Sequence, residues 1–502
     1  MSSLETSSVR LRGVSFSYAS DRRLFDGLDL HLTPGWTGIV GPNGHGKTTL
    51  LRLLTGELVP IRGAIYRDGA TVALCRQRVD ACTPEIKAFG WDWDRTACRV
   101  RGRLDLNPEA LQRWSTLSPG ERKRWQLGAA LAAEPDVLLL DEPTNHLDAS
   151  GREQLVTALR RFRGIGLVVS HDRALLEALT DRTLRVGHGT ARLWPGSYLT
   201  AKAAWEAEEG LQLAELESAQ AARRKARRHL ADQRRRLDAT QRQIGAKARM
   251  KNAGDREAAS INRKERARKA TAKLSSQLGV IRRRSDDAAT AVGDARQRLA
   301  PRAHGGGLFV DYHPSPKRRL ATLELPTLEA GRRVLARDVR LTLERDSRWR
   351  IAGPNGAGKT TLLTQLEQAL TIPDERVLCV PQHLSPEALA RYRAALDGLD
   401  PPTRGRVLSI VADLGVDPDI LLATASPSPG EARKLAIALG LARQVWLLVL
   451  DEPTNHLDLP SVERLESALG EYPGALVLVS HDDAFAGRLT QKTVTLVPKT
   501  GS

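Results

Sequence analysis

The nine residues GPNGHGKTT, Gly41 to Thr49, return almost unchanged as GPNGAGKTT, Gly353 to Thr361. Each follows a short apolar run, TGIV in one case and WRIA in the other, and each fits the pattern GxxxxGK[ST]. Glycines at Gly41, Gly44 and Gly46, and at Gly353, Gly356 and Gly358, let backbone N–H groups turn inward around phosphate oxygens. Pro42 and Asn43, with Pro354 and Asn355, complete the two loops, and the helix that follows adds positive potential at its N-terminus. Lys47 and Lys359 are placed to reach β- and γ-phosphates. Thr48 and Thr360, followed by Thr49 and Thr361, are placed to offer a hydroxyl to Mg²⁺. A structural glycine turn could explain one such loop, but not two of them, each between a strand and a helix.

The repeat extends well beyond these loops. DEPTNHLD begins at Asp141 and at Asp451, and SHD begins at Ser170 and at Ser480, both pairs 310 residues apart. Apolar runs such as VLLLDE and GLVVSHD alternate with helical stretches, the pattern of a mainly parallel α/β sheet. The reading is therefore two α/β nucleotide-binding domains with phosphate loops, over residues 1–198 and 305–502, joined by an insert over 199–304. Strand-end carboxylates lie where α/β sheets place their ligands. Asp141 and Asp451 suit a metal's water shell, and Glu142 and Glu452 suit a general base that orients an attacking water.

A second repeated motif lies about one helix upstream of each acidic pair: LSPGERKR, 117 to 124, and PSPGEARK, 427 to 434. Ser-x-x-Glu before a helix is a capping box, with the serine capping and the glutamate reaching back. Proline at the first helical position removes an N–H that has no intrahelical partner anyway and presets φ. Ser118, Gly120, Ser428 and Gly430 then keep hydroxyl and backbone donors free for a ligand.

The chain has 502 residues, enough for two or three domains. No run reaches the roughly 18 apolar residues of a membrane span, and MSSLETSSVRLRG has no apolar export segment. Four cysteines without CxxC spacing point to neither zinc nor iron–sulfur chemistry and suit a reducing cytoplasm. Residues 199 to 303 carry 26 Lys or Arg against 13 Asp or Glu, a net +13 of the chain's +17. Apolar residues recur at 4–3 spacing from Ala267 to Leu299, and every seven residues at Leu230, Leu237 and Ile244. This predicts two helices, 199 to 244 and 261 to 299, that pair as a basic antiparallel hairpin. Its turn is predicted over Gly245 to Ser260, with Lys247, Arg249, Lys251 and Arg256 as candidate RNA contacts at the tip. No aromatic residue occurs from 211 to 308, so phosphate contact by arginine forks, not base stacking, is the expected mode.

Phosphate loop, Ser-x-Gly-Glu signature, DEPTNHLD and a downstream histidine together resemble the ATP-binding cassette domains. Two fused cassettes with a basic helical insert and TNHLD resemble the F subfamily, although the family usually writes Ser-Gly-Gly where Pro119 and Pro429 stand here. The resemblance implies two cassettes closing head-to-tail within one monomer over two ATP molecules, with Mg²⁺ as cofactor and ATP hydrolysis as the reaction. Lys47, Thr48, Asp141, Glu142 and His171 would work with Ser428 and Gly430, and Lys359, Thr360, Asp451, Glu452 and His481 with Ser118 and Gly120. Gln77 and Gln382 fall at the Mg²⁺-contacting glutamine. Tyr18 falls at the adenine-stacking aromatic, with Leu328 as its apparent counterpart.

The same resemblance implies a cytoplasmic protein whose partner is the ribosome, through large-subunit rRNA and possibly tRNA. The short spacing from Gln77 to Ser118 and the long insert look more like the antibiotic-resistance branch, in which the insert reaches the peptidyl-transferase region from the tRNA exit site. The alternatives are a general translation factor of the same family and the soluble ATPase subunit of a transporter. The latter would need a membrane partner and no cationic hairpin.

Overall fold

The computed structural model describes residues 8–18, 23–145, 147–187, 189–249, 257–298, 312–331, 333–354, 356–382, 384–424, 427–455 and 457–496. The chain divides into two compact units, one combining Met1–Ala201 with Ala303–Ser502 and the other Lys202–Arg302.

In the first copy β1 (Val9–Ser17), β2 (Arg23–Leu32) and β4 (Arg62–Tyr66) form an antiparallel sheet in the order β2-β1-β4. The second sheet runs β5-β6-β7-β3-β8-β9, from β3 (Gly35–Val40), β5 (Val72–Cys75), β6 (Val137–Asp141), β7 (Ile165–Val169), β8 (Arg182–Gly187) and β9 (Thr190–Pro195). All its pairings are parallel except the β8–β9 hairpin at one edge. Helix α1 (Lys47–Thr55) shares one apolar cluster with both sheets, through Leu50, Leu51, Leu53 and Leu54. Strand β7, and β6 up to its terminal Asp141, carry no polar side chain because both faces are covered, and every residue of each is buried.

A helical layer follows: α2 (Pro84–Trp91), α3 (Arg95–Arg103), α4 (Pro119–Ala132), α5 (Ala149–Leu159) and α6 (Arg173–Leu179). Trp125 of α4 is 1% exposed at the centre of a cluster with Ile86, Phe89 and Val100.

The second copy repeats this plan, with fewer strands among the described residues. A hairpin, β10 (Arg319–Ala330) and β11 (Arg333–Glu344), stands beside a parallel sheet in the order β13-β14-β15-β12-β16. Its strands are β12 (Arg348–Ala352), β13 (Val377–Val380), β14 (Leu447–Asp451), β15 (Ala475–Val479) and β16 (Lys492–Thr495). Alternate side chains leave opposite faces of β14. Leu447 and Val449 join the cluster with the hairpin, while Leu448 and Leu450 join the helical one. The helices are α9 (Lys359–Gln368), α10 (Pro386–Asp397), α11 (Pro401–Asp413), α12 (Pro418–Ala423), α13 (Pro429–Ala442), α14 (Leu459–Glu471) and α15 (Asp483–Leu489).

The insert forms two long helices, α7 (Tyr198–Arg249) and α8 (Glu257–Arg298). Where the apolar stripe is described, Leu230, Leu237, Leu278, Ile281 and Ala288 are half-buried and Val292 is buried, while Arg227, Arg228 and Arg282 to Arg284 are exposed. The turn predicted from Gly245 to Ser260 needs correction. Helix α7 continues through Gly245 to Arg249, and α8 has begun by Glu257. A single glycine costs only about 1 kcal/mol in a helix, and the strong helix formers Ala246 to Arg249 carry the chain past it. Lys247 and Arg249 therefore belong to the last turn of α7, while Lys251 and Arg256 lie outside the described residues.

Side chains from the two copies meet inside the first unit. Arg173 at the start of α6 donates to Glu466 of α14 at 2.8 Å, and both residues are buried. Arg488 approaches the other oxygen of Glu466 at 2.5 Å, and the Tyr198 hydroxyl donates to Glu463 at 2.7 Å. Removing one partner of a buried ion pair leaves the other desolvated and uncompensated, at a cost of roughly 3–5 kcal/mol. Glu466→Ala, which strands Arg173, is expected to destabilise the protein by that order in urea unfolding. Arg173→Ala combined with Glu466→Ala should cost less than the sum of the two single changes.

Candidate nucleotide sites

Strand β3 delivers the first phosphate loop to α1. Gly41 sits at φ 149°, and a Cβ there would meet the Val186 carbonyl oxygen at 2.0 Å, so only glycine fits this close approach. The Lys47 ammonium donates to the carbonyls of Gly41 at 2.8 Å and Pro42 at 3.1 Å, and to Asn43 Oδ1 at 3.2 Å. Burial lowers its pKa, opposed by Glu142, Asp458 and Asp141. Helix α1 starts at Gly46 with no side-chain cap, whereas α4, α5 and α6 are capped by Ser118, Asp148 and Asp172. The first-turn N–H groups of α1 stay available to an anion. The second loop repeats this arrangement at Lys359, which donates to Gly353 O at 2.8 Å and Pro354 O at 3.1 Å, with uncapped Gly358 at the start of α9. Asn355 lies outside the described residues.

The strand-end acids meet these loops. Thr48 Oγ1 donates to Asp141 Oδ2 at 2.9 Å, and Gln77 lies on the same cavity wall. This all-oxygen set fits a hard cation such as Mg²⁺. Burial raises the pKa of Asp141, offset first by the Thr48 hydroxyl. Thr360, Asp451 and Gln382 share the corresponding wall of the second site.

Glu142 and Glu452 occupy the left-handed region, at φ 47° and 48°. Backbone of this kind in a non-glycine residue costs about 1–3 kcal/mol and gathers at functional sites. Each corner is held by the backbone: Glu142 N donates to Val169 O at 2.9 Å and Glu452 N to Val479 O at 2.8 Å. Glu142 Oε1 lies 3.0 Å from His171 Nε2, and Glu452 Oε1 lies 3.4 Å from His481 Nε2. In the second site burial pushes Glu452 up to about 7 and His481 down to about 4. The neutral imidazole is thus favoured there, and Lys359 Nζ stands 3.3 Å from the same nitrogen. The chemistry available at each corner is a carboxylate that can take a proton from water, beside an imidazole that can hold a phosphate oxygen.

Both signatures are found in the opposite copy's site. A cavity of about 490 Å³ is lined by Tyr18, Lys47, Thr48, Gln77, Asp141, Glu142 and His171. An adjoining one of about 360 Å³ carries Asn43, Glu142 and His171 on one side and Ser428, Pro429 and Gly430 on the other. The second site, about 590 Å³, joins Lys359, Thr360, Gln382, Glu452 and His481 to Ser118, Pro119 and Gly120. Both capping boxes are present. Glu121 N donates to Ser118 Oγ at 3.2 Å while Ser118 N donates to Glu121 Oε2 at 2.8 Å, with 3.3 and 2.8 Å at Ser428 and Glu431.

Tyr18 is 59% exposed on the first cavity's wall, edge-on to Phe16, with its hydroxyl 3.1 Å from Thr49 Oγ1. The counterpart assigned from sequence is wrong. Leu328 is 1% exposed and packs in the core, as Phe16 does in the first copy. Ala330, not Leu328, lines the second cavity, beside Leu335. The phosphate loops lie 312 residues apart, and that offset, two more than the 310 of the later motifs, pairs Phe16 with Leu328 and Tyr18 with Ala330.

Sequence reasoning missed two functional cations. Lys123 and Arg433, 310 apart in the signature helices, are 3% and 2% exposed. Lys123 donates to the carbonyls of Arg76 and, at 3.2 Å, Asp141. Arg433 donates to those of Gln382, Glu452 at 2.9 Å and Asn455 at 2.8 Å. They tie each signature helix to its own strand end and glutamine segment. The available signal was a cation at the same repeat position of both signature helices.

The ABC transporter family matches residues 25–145 and 336–455. The tylosin resistance ATP-binding protein TlrC of Streptomyces fradiae is 33% identical over 97% of this chain and 96% of its own length. The chain belongs to the ATP-binding cassette F family. It is accordingly an ATP hydrolase. The ribosome protection protein VmlR of Bacillus subtilis is 27% identical over 97% of this chain and 86% of its own. Among solved structures, the RNase-L Inhibitor shares the fold at a TM-score of 0.60 and 19% identity, over 97% of this chain and 90% of that one. Among the described residues no helix is long and apolar enough to cross a membrane.

The capping-box geometry separates two substitutions in this ATPase. Pro119→Gly keeps every hydrogen bond of the box and should leave ATP turnover within a few-fold. Ser118→Ala removes the cap, about 1 kcal/mol, together with a hydroxyl in the second cavity. It should lower both the melting temperature and turnover by more than Pro119→Gly does, in parallel thermal and steady-state assays.

Proposed function

We propose that this ATPase acts on the ribosome in the cytoplasm, with ATP binding closing the two cassettes over paired nucleotides and hydrolysis reopening them to allow release. The observation that carries the reading is the insert. Among the described residues its arginines face solvent on both helices, as at Arg227, Arg228, Arg234 to Arg236 and Arg282 to Arg284. Lys and Arg together outnumber the acids 26 to 13, and no aromatic residue interleaves them from 211 to 308, which suits the phosphate backbone of a folded RNA. Relatives named for tylosin resistance and ribosome protection, matched over nearly the whole chain, support the same partner. The finer reading follows from it. Residues 199–304 act as a separate element between cassettes 1–198 and 305–502. It contacts large-subunit rRNA, reaches toward the peptidyl-transferase region near tRNA, and protects the ribosome against an antibiotic.

In the sites, Lys47 and Lys359 bind β- and γ-phosphates. Thr48, Gln77 and Asp141, with Thr360, Gln382 and Asp451, hold Mg²⁺, which neutralises phosphate charge when bound. Glu142 and Glu452 orient water and accept its proton, and His171 and His481 hold the γ-phosphate. Ser428 and Gly430, or Ser118 and Gly120, close on that phosphate from the opposite cassette, and Tyr18 stacks on the first adenine. On this reading the double variant Glu142→Gln, Glu452→Gln binds ATP and stays closed. It should cosediment with ribosomes in ATP and block translation, and normal multiple-turnover hydrolysis by it would remove both glutamates from the mechanism.

The insert is tested separately. Replacing Lys247, Arg249, Lys251 and Arg256 with Gln should leave basal ATP hydrolysis intact, weaken ribosome binding without abolishing it, and remove the effect on translation or drug susceptibility. Full function in cells after this change would place the activity on the helical flanks alone.

A further inference from the structure

A second basic surface lies on the first cassette, away from both nucleotide cavities. Arg99 and Arg103 of α3 share a cavity of about 460 Å³ with Arg161 and Arg163, which follow α5. Among the described residues, Glu134 is the only acid on its wall. Among the same residues none of the four arginine side chains forms a hydrogen bond or an ion pair. Burial and the like charges of Arg161 and Arg99 pull Arg103 below its ordinary pKa. Four guanidinium groups crowded around the single carboxylate of Glu134 destabilise the folded protein by mutual repulsion, and an anion would relieve that.

The second cassette shows that the fold does not require this charge. Its helix α11 ends as α3 does: Leu104 N bonds Val100 O and Leu106 N bonds Arg101 O, while Leu414 N bonds Ile410 O and Val416 N bonds Val411 O. The 310 offset therefore holds here, and the counterparts of Arg99, Arg103, Arg161 and Arg163 are Ser409, Asp413, Glu471 and Pro473. One wall is cationic and its duplicate is acidic. The first cassette also exposes Trp91 and Trp93, 51% and 74% exposed, at the two sides of the turn leading into α3. The guanidinium of Arg101 lies 5.5 Å from the Trp93 ring centre. Asp94 beside them is occupied in capping α3. Helix α3 is only about 13 Å long, so the exposed rings and the arginine cavity fall within reach of one nucleic-acid segment.

We infer that this face of the first cassette is an RNA docking site, in which Arg99, Arg103, Arg161 and Arg163 hold the phosphate backbone and Trp93 stacks on an unpaired base. Arginine forks match phosphate oxygens, and exposed indole rings take unstacked bases. A free phosphate would use the arginines but not the rings. The inference deepens the ribosome reading by adding a contact outside the insert, and it can fail independently of it.

The test uses the full chain with Arg99→Gln, Arg103→Gln and Arg161→Gln combined, and separately Trp93→Ala. Basal ATP hydrolysis should be unchanged in both. Ribosome binding by the triple variant, followed across a salt series, should show a log–log slope flatter by roughly 0.7 to 0.9 for each phosphate that is no longer neutralised. Binding to a single-stranded RNA oligonucleotide should weaken at least about five-fold for Trp93→Ala, and for the triple variant at least as much. Millimolar inorganic phosphate should not displace the oligonucleotide. An unchanged salt slope with intact ribosome binding overturns the docking site and leaves the ribosome reading standing. Oligonucleotide binding that depends on these residues without any ribosome binding does the reverse. Displacement by phosphate, or no effect of Trp93→Ala, reduces the face to a small-anion site and overturns the inference.

Discussion

One carboxylate links the two halves of the first nucleotide site. Asp458 accepts from Ser461 N at 2.9 Å, capping α14, and with its other oxygen from the backbone N–H of Asn43 at 2.7 Å, in the phosphate loop of the other copy. Burial works against its charge, yet Lys434, Ser461 and Asn43 hold its carboxyl below the usual range. A helix cap is local and needs no partner domain. Here the same group is also satisfied across the cassette boundary, so the loop and the segment after DEPTNHLD are held in register. Ser428 and Gly430 are brought to the first site by this register, because Arg433 ties their helix to the backbone of Glu452 and Asn455, close to Asp458 in the chain.

Helix termini divide the labour around that link. The helices after the phosphate loops begin uncapped at glycine, and their first-turn residues line the cavities. The signature helices begin with a complete capping box, so their donors are partly satisfied and their geometry is fixed. Proline at the next position reinforces that rigidity. An open helix end awaiting phosphate on one cassette thus faces a pre-shaped helix end on the other.

Duplication has not kept the two sites equal. Arg152 of the first copy donates to His481 O at 2.9 Å and lines cavities at both sites, whereas its counterpart 310 residues later is Val462. Arg173 forms a buried pair with Glu466, while the counterparts of these two residues are Asp483 and Val156, which cannot make that pair. Tyr18 offers a ring to the first cavity where Ala330 offers a methyl group to the second. Among the described residues the arginines that reach across the cassettes, Arg152 and Arg173, belong to the first copy, so the boundary is asymmetric even though its motifs are repeated.

The motifs at Gly41, Ser118, Asp141 and Ser170, with their copies, were legible in the sequence because each is a local backbone device. A glycine turn, a capping box and a strand-end acid depend on neighbours within a few residues, and their recurrence 312 or 310 residues later exposes them. The long helices of the insert were legible for the same reason, through their periodicity. The end of α7 was misread at Gly245 because a single weak helix former does not stop a helix flanked by strong ones. Leu328 was misassigned because the 310 spacing of the later motifs does not hold ahead of the phosphate loops, which lie 312 apart. Arg152 and Arg173 lie outside the repeated motifs, and Asp458 and Lys123, though inside DEPTNHLD and LSPGERKR, carried no sign of their partners. Their roles depend on groups that are distant in the chain, in several cases backbone carbonyls, which sequence patterns do not mark. Sequence alone therefore determined the chemistry of each site. Tertiary packing decided which residues complete each site from the opposite cassette, because buried charges must find partners wherever the fold brings them.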